Sequence, residues 1–388
     1  MTLASKIAEH TRRVLPQTIE LRRAIHRHPE LGWEEIETTK RVVTALREAG
    51  IDVTPRASGL GAIADVGSGD NAVGFRADLD GLPITELNDV VYKSQVDGVM
   101  HACGHDVHTA IAVGIAQVLG RLGDFGGRVR FVFQPAEEKI PGGATELRAE
   151  RVHEGLRSII GFHVDPTLEP GKVGLRIGGI TGASDRFRIH LSGPGGHTSR
   201  PHQTVDLIAI AGRVISELPA VIKSTIDPRE PLALVFGSIR GGSAENVIPT
   251  EVTLGGTARM FDHELWRDMP KMIEKAVGDL AHPSGARFEL DYFRGSPPTV
   301  NDEHVIHTVR IAINKVLGPD ADVDSHQSLG SEDFAWFLED IPGALLRLGS
   351  GITGRPVDLH SATFDIDEAA IEAGIIAGAG ALLGLLNN

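Results

Sequence analysis

"DRFRIHLSG", residues 185–193, is where the chain changes character. Apolar Phe187, Ile189 and Leu191 alternate with polar Arg186, Arg188 and His190, the period-two pattern of a strand with one face buried and one in water. The apolar runs before it are different. "GAIADVG" (61–67), "NAVGFRAD" (71–78), "RVRFVFQ" (128–134) and "SIIGFHV" (158–164) are short and mostly apolar, and "HTAIAVGIAQVLGRLG" (108–123) between them has helical spacing. Strands alternating with helices predict a mixed, mainly parallel α/β sheet covered on both faces.

Downstream of residue 193 the order continues as the helix "TVDLIAIAGRVISELPAVI" (204–222), the strands "LALVFGSIRGG" (232–242) and "EVTLGGTARMF" (251–261), the helix "HELWRDMPKMIEKAVGDLA" (263–281) and the strand "ARFELDYF" (286–293). Together with 185–193 this is β-α-β-β-α-β, a split βαβ or ferredoxin-like unit. Residues 184–296 are therefore expected to form an α+β insertion, with residues 1–183 and 297–388 forming one discontinuous α/β domain. Near the N-terminus, "IELRRAIHRHPELGWEEIETTKRVVTALREAG" (19–50) reads as helix broken at "HPELG". The apolar C-terminal run "AGIIAGAGALLGLL" (373–386) is shorter than the roughly 20 residues a bilayer span needs. Its small residues suit a last helix packed closely against the sheet, and no membrane role is expected.

A formal charge of −14 argues against general nucleic-acid binding. The single cysteine among 388 residues cannot form an internal disulfide, which fits a reducing cytoplasm. The opening "MTLASKIAEHTRRVLPQ" has no apolar core of signal-peptide length.

Five clusters fall where strands end or loops begin, the usual place for sites in α/β sheets. They are "FRADLDGLP" (75–83), "MHACGHD" (100–106), "FQPAEE" (133–138), "GFHV" (161–164) and "DLHSATFD" (358–365). Cys103 and His105, two residues apart across a glycine, suit a borderline divalent metal, since thiolate and neutral imidazole are both good donors. By themselves they also suit a buried thiol that packs, or a nucleophile with its base. In "QPAEE", Glu137 and Glu138 in near-extended backbone point to different sides, so one can ligate while the other activates water; a solvated acidic turn is the plain alternative. His163 and His360 are candidate ligands or hydrogen-bonded structural histidines. Asp78 can orient a ligand histidine, and Asp80 caps the next turn. In the insertion, "SGPGGHTSRPHQTVD" (192–206) carries His197 in a glycine-rich turn, and "NVIP" and "TARMF" carry Asn246 and Arg259. An arginine at a strand end suits a carboxylate.

Taken in order, "RRAIHRHPELGWEE", "RADLDGLPI", "MHACGHDVHTA", "QPAEE", "GGHTSRPH", "NVIP", "GSEDFAWF" and "LHSATFD" resemble peptidase family M20, subfamily D. These are amidohydrolases that include hippurate hydrolases, indole-acetyl-amino-acid hydrolases and N-acyl-amino-acid deacylases. The resemblance implies two divalent metal ions (Zn, Mn, Co or Ni), with Cys103 as bridging thiolate and His105, Glu138, His163 and His360 as the other ligands. It implies Glu137 as general base and Asp78 as the acid that orients a metal-bound histidine. It further implies His197 as a lid histidine that steadies the oxyanion, in dimeric relatives from the partner subunit, and Asn246 and Arg259 as substrate contacts. The insertion would then be a lid and homodimer interface, and the substrate a small N-acyl amino acid. A carboxypeptidase or dipeptidase of the same family is the nearest alternative; a thiol hydrolase or a non-catalytic metal-binding protein would leave much of the set unexplained. Relatives usually continue after the glutamates with glycine-rich sequence. Here it is Lys139, Ile140 and Pro141, which bears on substrate preference more than on the metals.

Overall fold

The structure, a computed structural model, describes residues 2–388. It divides into two compact units. One runs to Ile180 and resumes at Asn301–His326 and Asp333–Asn388; the other is Thr181–Val300 with Gln327–Glu332. The short segment 327–332 thus packs with the second unit although chain order puts it within the return to the first.

In the first unit, helices α1 (Leu3–Arg27) and α2 (Ile36–Glu48) flank the break at "HPELG". Strands β1 (Val53–Pro55), β2 (Ala62–Gly67) and β3 (Ala72–Asp78) lead to helix α3 (His105–Leu122), and β4 (Arg128–Gln134), β5 (Ile159–Asp165) and β6 (Val173–Leu175) follow. Strands Asp322–Asp324 and Gly343–Gly349 complete an eight-stranded sheet in the order β1, β2, β4, β3, β5, Gly343–Gly349, β6, Asp322–Asp324. The central four are mutually parallel, whereas β2 joins β4, and β6 joins Gly343–Gly349, in antiparallel register.

Successive residues of these strands feed different cores. Phe131 and Phe133 of β4, and Ile160 and Phe162 of β5, join the larger core under α1, α3 and the last helix. Val132 and Ile159 face a smaller core with Leu147, Phe334 and Phe337. The sheet is covered on both faces because each strand has side chains to bury on both.

Helix Ala369–Leu386 is long and apolar enough to cross a membrane by length and composition, yet 78% of it is buried within the protein. Its glycines allow this. A Cβ on Gly374 would lie 2.5 Å from Ile111 Cδ1, and one on Gly378 would lie 2.3 Å from Ile115 Cδ1. Small residues at helical spacing let the α3 side chains nest against the helix backbone. A buried ion pair crosses the same core: Arg22 of α1 donates from Nε to Asp106 of α3 at 2.7 Å, both side chains fully buried. α3 also starts three residues earlier than the apolar pattern indicates, because its first turn buries the polar His105, Asp106 and His108.

The second unit has a four-stranded antiparallel sheet in the order Leu232–Gly241, Glu251–Met260, Asp185–Ser192, Arg287–Phe293, with helices Leu207–Lys223 and His263–Ala281. Numbered along the chain this is 4-1-3-2 read from the other edge, the ferredoxin-like arrangement expected from the β-α-β-β-α-β order. Phe187, Ile189 and Leu191 are buried, and Arg186 and Arg188 of the same strand are exposed, as the alternation requires.

Gly378→Val should destabilise the chain by about 1–3 kcal/mol through overpacking. Ile311→Ala, at a side chain 71% exposed, should change stability by less than about 0.5 kcal/mol. Urea denaturation of the two variants checks the contrast.

Candidate metal centre and active site

The parallel strands point their carboxyl ends the same way, and Asp78 at the end of β3 stands opposite Gln134 at the end of β4. The loops that follow, 79–104 and 135–142, bring together residues distant in sequence.

Cys103 lies before the turn into α3. Gly104 takes φ +84°, and a Cβ there would lie 2.4 Å from Val164 Cγ2. Only glycine fits, and the tight turn puts Cys103 and His105 on one side. Cys103 Sγ lies 3.4 Å from His163 Nε2 and 3.4 Å from His360 Nε2. Glu138 Oε1 is 3.2 Å from the same His360 nitrogen. Donor atoms of Cys103, Glu138 and His360 fall within 4.8 Å of one another, as do those of His105, Glu137 and Glu138. Glu138 belongs to both groups.

Backbone contacts orient the imidazoles. His163 Nδ1 bonds the carbonyl of Val164 at 2.8 Å and His105 Nδ1 that of Asp80 at 2.9 Å, so both Nδ1 atoms donate. Each Nε2 is thereby turned toward the pocket, that of His163 to Cys103 and that of His105 to the carboxylates. His105 Nε2 is buried without a hydrogen-bond partner among the described residues. Around it stand Asp78 Oδ2 at 3.8 Å, Glu137 Oε2 at 4.0 Å and Glu138 Oε1 at 4.0 Å. A buried nitrogen ringed by carboxylates just beyond bonding distance is a place shaped for a cation. The donor set, one thiol, three imidazole nitrogens and a carboxylate, suits borderline divalent metals.

His108 is not available as a ligand. Its Nε2 accepts from Val164 N at 2.9 Å and its Nδ1 donates to Asp78 at 2.7 Å, so both nitrogens are engaged. Asp78 therefore bonds His108 directly and reaches His105 only at the longer distance. Arg76 pairs with its other oxygen at 2.6 Å. His101 is buried, with neither ring nitrogen bonded among the described residues. Burial, the largest cause, pushes it down to about 4.

The field in the pocket is divided. Burial lowers His163 well below the usual histidine range, and the Arg347 charge adds to this, so its imidazole is neutral. Burial also acts to lower His105, but the negative charge of Asp78, with the hydrogen bond to Asp80, outweighs it and raises it well above that range. The surroundings favour positive charge on that nitrogen, and a proton would compete there with any divalent cation. Burial pushes the Cys103 thiol up to about 12.

The turn carrying the glutamates has supports that the sequence reading did not identify. Asp80, expected to cap a turn, instead accepts the backbone N–H of Glu137 on Oδ1 and that of Glu138 on Oδ2, each at 3.0 Å. Glu35 accepts the N–H of Ala136 at 2.6 Å. Burial, then the Asp80 charge, push Glu35 up to about 7. Asp333, from "GSEDFAWF", donates its backbone N–H to Glu137 Oε1 at 3.4 Å. Glu35, six residues after the His28–Pro29 pair, is visible in the sequence; that it reaches residue 136 is not.

The other candidates lie in the second unit. His197 pairs in antiparallel register with Val247, beside Asn246, whose carbonyl accepts from Thr198 N at 3.1 Å. His197 Nδ1 accepts from Ser199 N at 3.1 Å, which places the ring proton on Nε2. Arg259 donates to the carbonyl of Leu329 at 2.8 Å.

The sequence profile of peptidase family M20/M25/M40 matches residues 74–383. The chain belongs to this family. It is 37% identical over 358 residues to the N-acetyl-L-cysteine deacetylase of Bacillus subtilis (strain 168), covering 92% of this chain and 85% of that protein. With the N-acyl-L-amino acid amidohydrolase of Geobacillus stearothermophilus it shares 40% over 292 residues, 74% of this chain and 79% of that protein. The crystal structure of the Bacillus subtilis YXEP protein, described as a dinuclear metal-binding peptidase from the M20 family, superimposes with a TM-score of 0.86 at 32% identity, covering 97% of this chain and 99% of that one. The chain also matches a Rhodococcus jostii (strain RHA1) protein named a glutamate–cysteine ligase, at 41% identity, but spans only 45% of its length.

Two outcomes follow from this geometry. Arg76→Met should cost about 3–5 kcal/mol, because it leaves the buried Asp78 and Asp333 carboxylates without their cation; thermal unfolding measures it. In metal-free protein, Cys103 should resist iodoacetamide at pH 7 and react faster as pH climbs toward its raised value, which mass spectrometry of the labelled chain would follow.

Proposed function

We propose that the chain is a metal-dependent amidohydrolase that cleaves the amide bond of N-acyl L-amino acids, giving a carboxylic acid and a free amino acid. The observation that carries this reading is the convergence of Cys103, His105, His163, His360 and Glu138 beside a second glutamate, Glu137, in a member of family M20. The names of the Geobacillus and Bacillus relatives support the substrate class.

Two divalent cations (Zn, Mn, Co or Ni) held by Cys103, His105, Glu138, His163 and His360 would supply Lewis acidity, lowering the pKa of water and polarising the acyl carbonyl. Glu137 is the general base. It takes a proton from the attacking water and returns it to the leaving amine nitrogen, one carboxylate serving both transfers in turn. The Nε2–H of exposed His197 is a donor suited to the oxyanion of the tetrahedral intermediate, in its own subunit or in a partner's. Asn246 and Arg259 are assigned to substrate, the guanidinium to the carboxylate of the amino acid. Asp78 holds its place through Arg76 and His108, beneath His105. We place the enzyme in the cytoplasm, as a homodimer formed through the second unit.

A thiol-hydrolase mechanism is disfavoured by the Cys103 environment, because burial holds the sulfur as the unreactive thiol until a positive charge offsets it. Glu137→Gln should retain metal at the wild-type stoichiometry and lower kcat by about 10²–10⁴-fold on acetyl-, benzoyl- or indole-acetyl-amino acids. Metal analysis alongside steady-state kinetics tests it. Full turnover by a verified metal-free preparation would sink the reading.

A further inference from the structure

We propose that Glu35 is a positioning residue for Glu137. Together with Asp80, its carboxylate holds the three successive amides of Ala136, Glu137 and Glu138, and so fixes the backbone from which Glu137 acts. The inference rests on the reading of Glu137 as general base.

Glu35 is completely buried and stands at the N-cap position of α2, where a carboxylate ordinarily bonds the first free amides of its own helix. It does not. Glu30 takes that role, accepting from Glu37 N at 3.0 Å and Thr38 N at 2.7 Å. With its helix already capped, Glu35 turns the other way and accepts from Ala136 N at 2.6 Å, across 101 residues of chain.

The bond falls on a residue that needs it. Ala136 has φ +53°, the left-handed conformation that costs a residue with a Cβ of the order of 1 kcal/mol and lasts only where neighbours impose it. The neighbours that impose it are Glu35 on the amide of residue 136 and Asp80 on those of 137 and 138. Gly143 N bonds the Ala136 carbonyl at 3.1 Å and holds the other side of the same residue. Gly81 N bonds Glu30 O at 2.7 Å, which ties the Glu35 segment to the Asp80 segment, so the two carboxylates act as one clamp. Release of the Ala136 amide would let residues 136 and 137 relax toward ordinary backbone and swing Glu137 out of line, while Glu138 keeps its amide on Asp80 and its side chain beside His360, and Cys103 and the histidines keep their other supports.

Kinetics on N-acetyl-L-alanine, metal analysis and amide hydrogen exchange test this on the full chain. Glu35→Ala should lower kcat by about 10²-fold, the loss expected of an ångström-scale misplacement. KM and metal stoichiometry should stay at wild-type values, and exchange of the peptide containing residues 136–138 should quicken. Glu35→Gln keeps an acceptor oxygen and should restore kcat to near the wild-type value. Should Glu35→Ala fail to fold, Glu35→Asp, which draws the acceptor back by one methylene, should show the same kcat loss and faster exchange. Wild-type kcat and wild-type exchange in Glu35→Ala or Glu35→Asp would overturn the inference, and so would a Gln variant as impaired as the Ala variant. If the wild-type chain cleaves no N-acyl amino acid, the proposed function fails, and the exchange measurement alone still judges the clamp.

Discussion

Asp80 ties three segments of the chain to one point. Its backbone carbonyl takes the His105 Nδ1–H, and its two carboxylate oxygens take the amides of Glu137 and Glu138. The residue follows a central strand, so the sheet fixes its place, and through it the first turn of α3 and the glutamate turn share one reference. Asp80 and His105 are buried and the glutamates partly so, and away from water a hydrogen bond is electrostatically stronger and an unmade one is costly. A carboxylate with a backbone donor on each oxygen is held in place, and so is the turn that supplies the donors.

The same economy of means appears at each histidine. The proton positions on His105 and His163 are set by main-chain carbonyls, and that on His197 by a main-chain amide. Backbone groups are held by secondary structure, so the orientation of each ring is inherited from the fold. His108, with an amide on one nitrogen and Asp78 on the other, is a strut and not a ligand, although it lies only three residues from His105. Opposing electrostatics complete the pocket. Burial acts against charge on every group, yet Asp78 keeps His105 receptive to positive charge, while His163 stays neutral.

The supports behind the site are ionic as well. Arg76 reaches Asp78 and Asp333, and Arg22 reaches Asp106 of the helix that begins at His105. Such pairs add little net stability over apolar packing, but losing one partner leaves a buried charge. They therefore restrict what the chain can do locally: the strands and helices that carry them must stay in register for the charges to meet.

Much of the architecture was legible in the sequence because it rests on local periodicity. The alternation of Phe187, Ile189 and Leu191 marked the second unit, and the apolar runs of β2 to β5 marked the sheet buried on both faces. The motif order likewise led to the family, and with it to Cys103, His105, Glu137, Glu138, His163 and His360 as candidates. What the sequence could not settle is which of the many nearby polar residues touch one another. Nothing local separates His105 from His108, or gives Asp80 a role beyond a turn, or connects Glu35 to residue 136. Each of those facts is a pairing across 25 or more residues, or a choice of which nitrogen faces inward. Period and composition record which face of a strand or helix is buried; partners of buried polar groups are fixed only when the chain ends of several strands are brought to one edge of the sheet.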